Sequence, residues 1–136
     1  MRVVIDVNVL VRVVLGSPKA ARFLHKVISA GMTVLTSDVL LHEFSSVVRK
    51  PRLAGHVDRD LYNQTLAFLG LCGELVKLTL PFPECRDPAD GYLLAMARDG
   101  KADFLLTYDD DLLTLTGGNE FAIETPDEFQ LRTLTE

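Results

Sequence analysis

Two cysteines are all this chain of 136 residues holds. Cys72 and Cys85 allow at most one bridge and fit no zinc-ligand spacing, so free thiols in a reducing, cytosolic compartment are expected. Positive charge is short as well. Against 19 acidic residues stand 14 basic ones, with a net charge of -5 and a pI near 5.1. That balance excludes the broad basic surface by which many proteins meet a phosphate backbone, and leaves only local patches or a bound cation for that purpose. Long apolar runs are missing too. The first one, Met1-Arg2-Val3-Val4-Ile5-Asp6, carries a carboxylate inside it, which neither a signal peptide nor a membrane span tolerates well. No targeting segment, repeat, low-complexity stretch or interdomain linker is visible, so a single domain over 1–136 is expected, with no membrane association. A hydrophobic content of 48% is enough for a sizeable core.

What the chain does have is an alternation of short apolar runs with longer segments of helical period. That order points to an α/β fold with a central parallel sheet of about five strands. Strands are expected at Val3-Val4-Ile5, Thr33-Val34-Leu35-Thr36, Leu75-Val76-Lys77-Leu78, Phe104-Leu105-Leu106-Thr107 and Phe121-Ala122-Ile123. Helices are expected around 18–30, 37–49, 58–72 and 88–99, with a shorter one near 110–115 and a last one from about 127. Pro51, Pro81, Pro83 and the run Gly117-Gly118-Asn119 read as turns.

Acidic side chains fall at unusual places in this pattern: Asp6 and Asp109 just past two strands, Glu43 inside an apolar stripe, Asp87 and Asp90 at a helix start, and Asp111. In an open parallel sheet, ligands bind beyond the carboxyl ends of the strands, where the helices begin. Right-handed crossovers return those helix starts to one edge, so acids remote in sequence can meet. Two unit charges about 4 Å apart at an effective dielectric of roughly 20 repel by around 4 kcal/mol, so converging carboxylates call for a cation between them. A divalent-metal site is the reading.

Each acid also has a plainer role. Glu43 lies at i+4 from Val39 and i-4 from Val47, within the stripe 39, 40, 44, 47 and 48; it could instead snorkel to water or pair with Arg49 or Arg22. Asp87-Pro88-Ala89-Asp90 is good helix-start chemistry by itself, with Asp87 read chiefly as a cap and Asp90 in line with Leu93, Leu94 and Ala97. In Thr107-Tyr108-Asp109-Asp110-Asp111, Asp109 stands nearest the strand end, Thr107 offers a hydroxyl and Asp110 faces solvent; Asp111 is either a helix-start acid or a group supporting the site. Asn8 either orients Asp6 or shapes the turn after the strand. Of the basic residues, Arg49-Lys50-Pro51-Arg52 is the dense cluster, an RNA contact or a complement to a helix C-terminus; Arg12, Arg22, Lys26 and Arg86 are additional contacts to consider. His25, His42 and His56 share no ligand spacing. Apolar Leu61, Leu66, Phe68, Leu69 and Leu71 exceed what one helix face needs, as an interface or as a helix buried on both sides.

Taken together, Val3-Val4-Ile5-Asp6-Val7-Asn8-Val9-Leu10, the helix from Ser37 to Phe44, Arg86-Asp87-Pro88-Ala89-Asp90-Gly91-Tyr92-Leu93 and Leu105-Leu106-Thr107-Tyr108-Asp109-Asp110-Asp111-Leu112 resemble the acidic motifs of the PIN-domain ribonucleases, in order along nearly the whole chain. Among these, the VapC-like toxins of toxin-antitoxin pairs are the most similar. The resemblance implies a three-layer α/β/α PIN-like fold and a Mg2+- or Mn2+-dependent endoribonuclease. Asp6, Glu43, Asp90 and Asp109 would hold the metal and carry catalysis, supported by Asn8, Asp87, Thr107 and Asp111. RNA as substrate, an antitoxin as partner, and a homodimer or higher assembly are implied with it. Val7, Gly91 and Tyr108 depart from the family pattern: close relatives often carry a small hydroxyl residue, a further acid and Gly there. Tyr108 would narrow the cleft or stack on a base.

Two other classes share an acid past the first strand. A haloacid-dehalogenase-like phosphatase needs a second Asp where Asn8 stands, and a response-regulator receiver needs an Asp after the third strand and a Lys after the fifth; Leu78-Thr79-Leu80 and Glu124-Thr125 supply neither. A catalytically weak PIN domain kept for partner binding is the remaining alternative.

Overall fold

The computed structural model describes residues 1–115 and 120–134. The turn read at Gly117-Gly118-Asn119 lies outside them. Five strands, β1 (Arg2–Ile5), β2 (Thr33–Thr36), β3 (Glu74–Leu75), β4 (Phe104–Leu106) and β5 (Ala122–Glu124), form an all-parallel sheet in the order β3-β2-β1-β4-β5. Consecutive strand residues point to opposite faces. In β1, Val3, Val4 and Ile5 are all buried, as are Leu105 and Leu106 in β4, so both faces of the central strands are covered. The expected three-layer α/β/α architecture follows from that burial.

The covering elements are α1 (Val7–Val14), α2 (Pro18–Ser29), α3 (Asp38–Val48), α4 (Pro51–Ala54), α5 (Arg59–Leu71), α6 (Gly91–Asp99), α7 (Asp110–Leu113) and α8 (Pro126–Thr133). Most starts are written locally. Ser17 caps α2 by accepting from the Ala20 amide, Ser37 caps α3 through Leu40, Asp58 caps α5, and Thr125 with Glu128 forms a capping box on α8. Gly31, at φ 72, takes the left-handed turn that releases α2 into β2.

Helix α1 has no counterpart in the sequence reading, and the reason is physical. Its valines at 7, 9, 11, 13 and 14 have low helix propensity, and in eight residues the one sign of helical period is the polar pair Asn8 and Arg12 at i, i+4, too short a signal beside a strand-like apolar run. Yet Val7, Val9, Leu10, Val11, Val13 and Val14 are all buried. Burying such side chains stabilises by about 1.5–3 kcal/mol each, which outweighs a propensity cost of roughly half a kcal/mol per residue. Pro51 likewise opens a helical turn rather than a loop. The third strand is only Glu74–Leu75, not 75–78, and both of its residues are exposed at the sheet edge. The segment expected as one helix over 88–99 is a 3-10 turn, Pro88–Asp90, followed by α6. On α5, Leu69 is buried, Leu61, Leu66 and Phe68 are half-buried, and Leu71 is 85% exposed. Both cysteines are free.

From β1 the chain moves outward through β2 to β3, then returns past β1 to β4 and on to β5. Connections therefore leave in opposite directions on the two sides of the β1/β4 boundary. That boundary is the topological switch point, where an open α/β sheet leaves a crevice at its carboxyl edge.

Candidate active site

Asp6 ends β1 at this crevice. Its amide still donates to the Leu106 carbonyl at 2.9 Å, continuing the ladder with β4, and the residue then caps α1 with its backbone while its side chain stays out of the cap. Asp6 is only 7% exposed. Burial raises its carboxyl above the ordinary aspartate range, against the opposing pull of a 2.7 Å bond donated by the Thr107 hydroxyl to Oδ2. Thr107, fully buried past the end of β4, also accepts at Oγ1 from the Asp109 amide at 2.9 Å. One hydroxyl thus ties the end of β1 to the turn after β4.

Asp109 caps α7, its Oδ1 accepting from the Asp111 amide at 2.9 Å. Asp90 ends the 3-10 turn and makes no side-chain cap bond; its Oδ2 is buried and without a hydrogen-bond partner. Its carboxyl is pushed up to about 7, first by burial, then by Asp109 alongside, then by Asp6 and Asp87. Asp6, Glu43, Asp90 and Asp109, from four separate segments, line one cleft of about 530 Å³ together with Asn8, Arg12, Arg52 and Tyr92. The Asn8 Oδ1 is also buried and unpartnered.

Glu43 reaches this cleft by a different route from the one expected. The buried stripe of α3 is Leu40, Phe44 and Val48, while Val39 is 39% exposed and Glu43 lies open to solvent. The buried stripe is narrower than the apolar pattern 39, 40, 44, 47 and 48 because one side of α3 forms a wall of an open cleft rather than of the core. Tyr92 is the residue that sequence reasoning missed. Its phenol is buried and held above its ordinary range by that burial and by Asp6, Glu43 and Asp90. Gly91 through Ala97 are all buried, so no amphipathic pattern sets Tyr92 apart.

The donor set is entirely oxygen, which suits a hard divalent cation. The orphaned oxygens of Asp90 and Asn8 are polar atoms for which an ion or its water would supply the missing partner. Among the described residues, no three Asp, Glu, His or Cys side chains are drawn in tightly enough to enclose an ion as they stand.

A family model described as the PIN domain matches residues 2–111. The chain belongs to the PIN-domain family. The fold agrees: the crystal structure of PAE2754 from Pyrobaculum aerophilum superposes with a TM-score of 0.61 at 18% identity, over 100% of this chain and 91% of that one. No curated protein matches the sequence. The PIN domain is a nuclease fold, so its general chemistry is nucleic-acid hydrolysis.

Other residues singled out from the sequence lie elsewhere in this PIN domain. Asp87 acts as a cap, accepting from the Ala89 amide at 3.0 Å. Asp111 pairs with Arg86 at 3.0 Å and does not line the cleft, and Asp110 is exposed as expected. In the basic cluster, the Arg49 guanidinium is spent on Ser45 of its own helix and Lys50 caps α4 with its backbone; Arg52 alone lines the cleft. Arg12 lines it too, from the helix that was not foreseen.

Proposed function

We propose that this PIN domain is a Mg2+- or Mn2+-dependent endoribonuclease that hydrolyses RNA phosphodiester bonds, acting as the cytoplasmic toxin of a toxin-antitoxin pair. One observation carries the nuclease reading: carboxylates from four separate segments, Asp6, Glu43, Asp90 and Asp109, line a single cleft at the switch point of the sheet. These four would hold the cation, with Asn8 beside them. When bound, the metal lowers the pKa of a coordinated water and offsets charge on the phosphodiester.

The chain's own residues set up that chemistry. Thr107 fixes the Asp6 carboxylate through its Oδ2 on the lining of the cleft. Asp90, pushed up to about 7 in the protein alone by burial and by its acidic neighbours, would give up that proton on taking the cation, so its buried Oδ2 gains the partner it lacks. Arg12 and Arg52 are the cations on the lining that would meet phosphate. An antitoxin and a second copy of the chain are the proposed protein partners; the half-buried apolar side chains of α5, with the exposed Leu71, support a docking role for that helix. Among the described residues, no helix is long and apolar enough to cross a membrane.

The test is incubation with structured and single-stranded RNA in Mn2+, beside Asp6→Asn. Metal-dependent cleavage abolished by the substitution is the expected result. Folded protein that never cleaves RNA under any divalent cation would leave the partner-binding alternative as the better reading. Family membership sets aside the phosphatase and receiver readings.

A further inference from the structure

Arg12 sits on a built mount. Its guanidinium carbon stands 4.0 Å from the centre of the Tyr108 ring, where the ring's quadrupole attracts a cation. The ring is itself held: the Tyr108 hydroxyl donates to Asp127 Oδ1 at 3.3 Å, and Asp127 Oδ2 takes the Lys19 ammonium at 2.7 Å. Helices α2 and α8 thus fix the ring, and the ring fixes the arginine. Among the described residues, no ion pair or hydrogen bond engages the Arg12 guanidinium. A flexible arginine on the lining of an acidic cleft would ordinarily swing onto a carboxylate. Stacking keeps this one off them, with its fork of donors free.

We infer that Tyr108 is a positioning residue that holds Arg12 ready to clamp a phosphate of an RNA strand entering the cleft. The inference rests on the ribonuclease reading and deepens it. A guanidinium fork matches phosphate oxygens bidentately. One face of the Tyr108 ring is covered by that guanidinium, so the ring acts through Arg12 rather than as a platform open on both sides to bases. Recognition at this point is therefore of the backbone and indifferent to sequence.

Binding of a short fluorescein-labelled single-stranded RNA, followed by anisotropy with Mg2+ in an Asp6→Asn background, tests the pair without turnover. Arg12→Ala is expected to weaken binding about three- to tenfold and to flatten the log-log salt dependence by about 0.7. Tyr108→Leu should do the same, Tyr108→Phe should keep the ring face and stay within about twofold, and Arg12→Ala with Tyr108→Leu should be no weaker than either alone. With Asp6 intact, Arg12→Ala should raise KM with kcat changed less than about threefold. Arg12 is exposed, so its alanine variant carries the test should Tyr108→Leu melt early. Unchanged affinity for Arg12→Ala, or additive losses in the double variant, would overturn the clamp while Mn2+-dependent cleavage by the unsubstituted protein still upheld the nuclease. Absence of both binding and cleavage in the unsubstituted protein would overturn the nuclease reading, and the clamp with it.

Discussion

Asp90→Asn should make the metal-free protein more stable at pH 8 while removing its response to metal. In the fold, Asp90 keeps its proton up to about 7; in the unfolded chain it releases it near 3.8. Between those values the folded state binds more protons, so its stability falls as pH rises from about 4 to about 7, and the full cost is present above 7. For a fully desolvated carboxyl, a rise from 3.8 to about 7 corresponds to about 4 kcal/mol. Asp90 is only partly buried, and solvent screening reduces the figure to roughly 1–2 kcal/mol. For a domain of this size that is roughly 3–8 °C in Tm. Melting in EDTA at pH 5 and pH 8 measures it. At pH 5 the folded Asp90 is protonated and nearly isosteric with Asn, but the unfolded carboxyl has already ionised, so about a third of the gap is present; at pH 8 the gap is full and the variant should melt higher by the larger margin. Asp6 is raised by burial too, so part of the pH slope survives the substitution. Saturating Mg2+ at about a hundred times Kd should add about 2.7 kcal/mol to the unsubstituted protein at pH 8 and much less to the variant. A variant melting at or below the unsubstituted protein at pH 8 in EDTA would refute the account of Asp90 as an electrostatically strained carboxyl.

Other expectations test different joints of the structure. Thr107→Val removes the donor to Asp6 and the acceptor for the Asp109 amide at a fully buried position, and should cost about 1–3 kcal/mol in urea unfolding together with most of the RNase activity. Gly100→Ala would place a Cβ 2.7 Å from Leu35 Cδ1, 2.8 Å from the Met96 carbonyl oxygen and 2.9 Å from Val76 Cγ2, so a loss of about 1–3 kcal/mol by chemical denaturation is expected. Gly91→Asp, which restores the acid that the resemblance leads one to expect, would set its Cβ 3.2 Å from the Pro83 carbonyl oxygen and 3.3 Å from Phe82 Cβ. Displacement of the Phe82–Pro83 segment and a lower Tm, with no gain in Mn2+-dependent cleavage, is the outcome to look for.

The parallel sheet was legible because buried strands such as Val3-Val4-Ile5 and Phe104-Leu105-Leu106 write themselves as continuous apolar runs, and the start near Pro88 because a cap such as Asp87 acts within a few residues of where it stands. Asp6 and Asp109 were legible for the same reason, as acids directly past such strands. Helix α1 was hidden, since its burial comes from α2, α3 and α5, which are remote in sequence, and outweighs its local propensity. With it went the placement of Arg12. The exposure of Glu43, the pairing of Asp111 with Arg86, the presence of Tyr92 in the cleft and the choice of Arg52 over Arg49 and Lys50 were likewise decided in three dimensions. Residue type and local period determine what chemistry a chain carries and which elements it can form. Which of those groups face one another depends on how the sheet orders its strands, and that order is set by packing between segments that no local pattern relates.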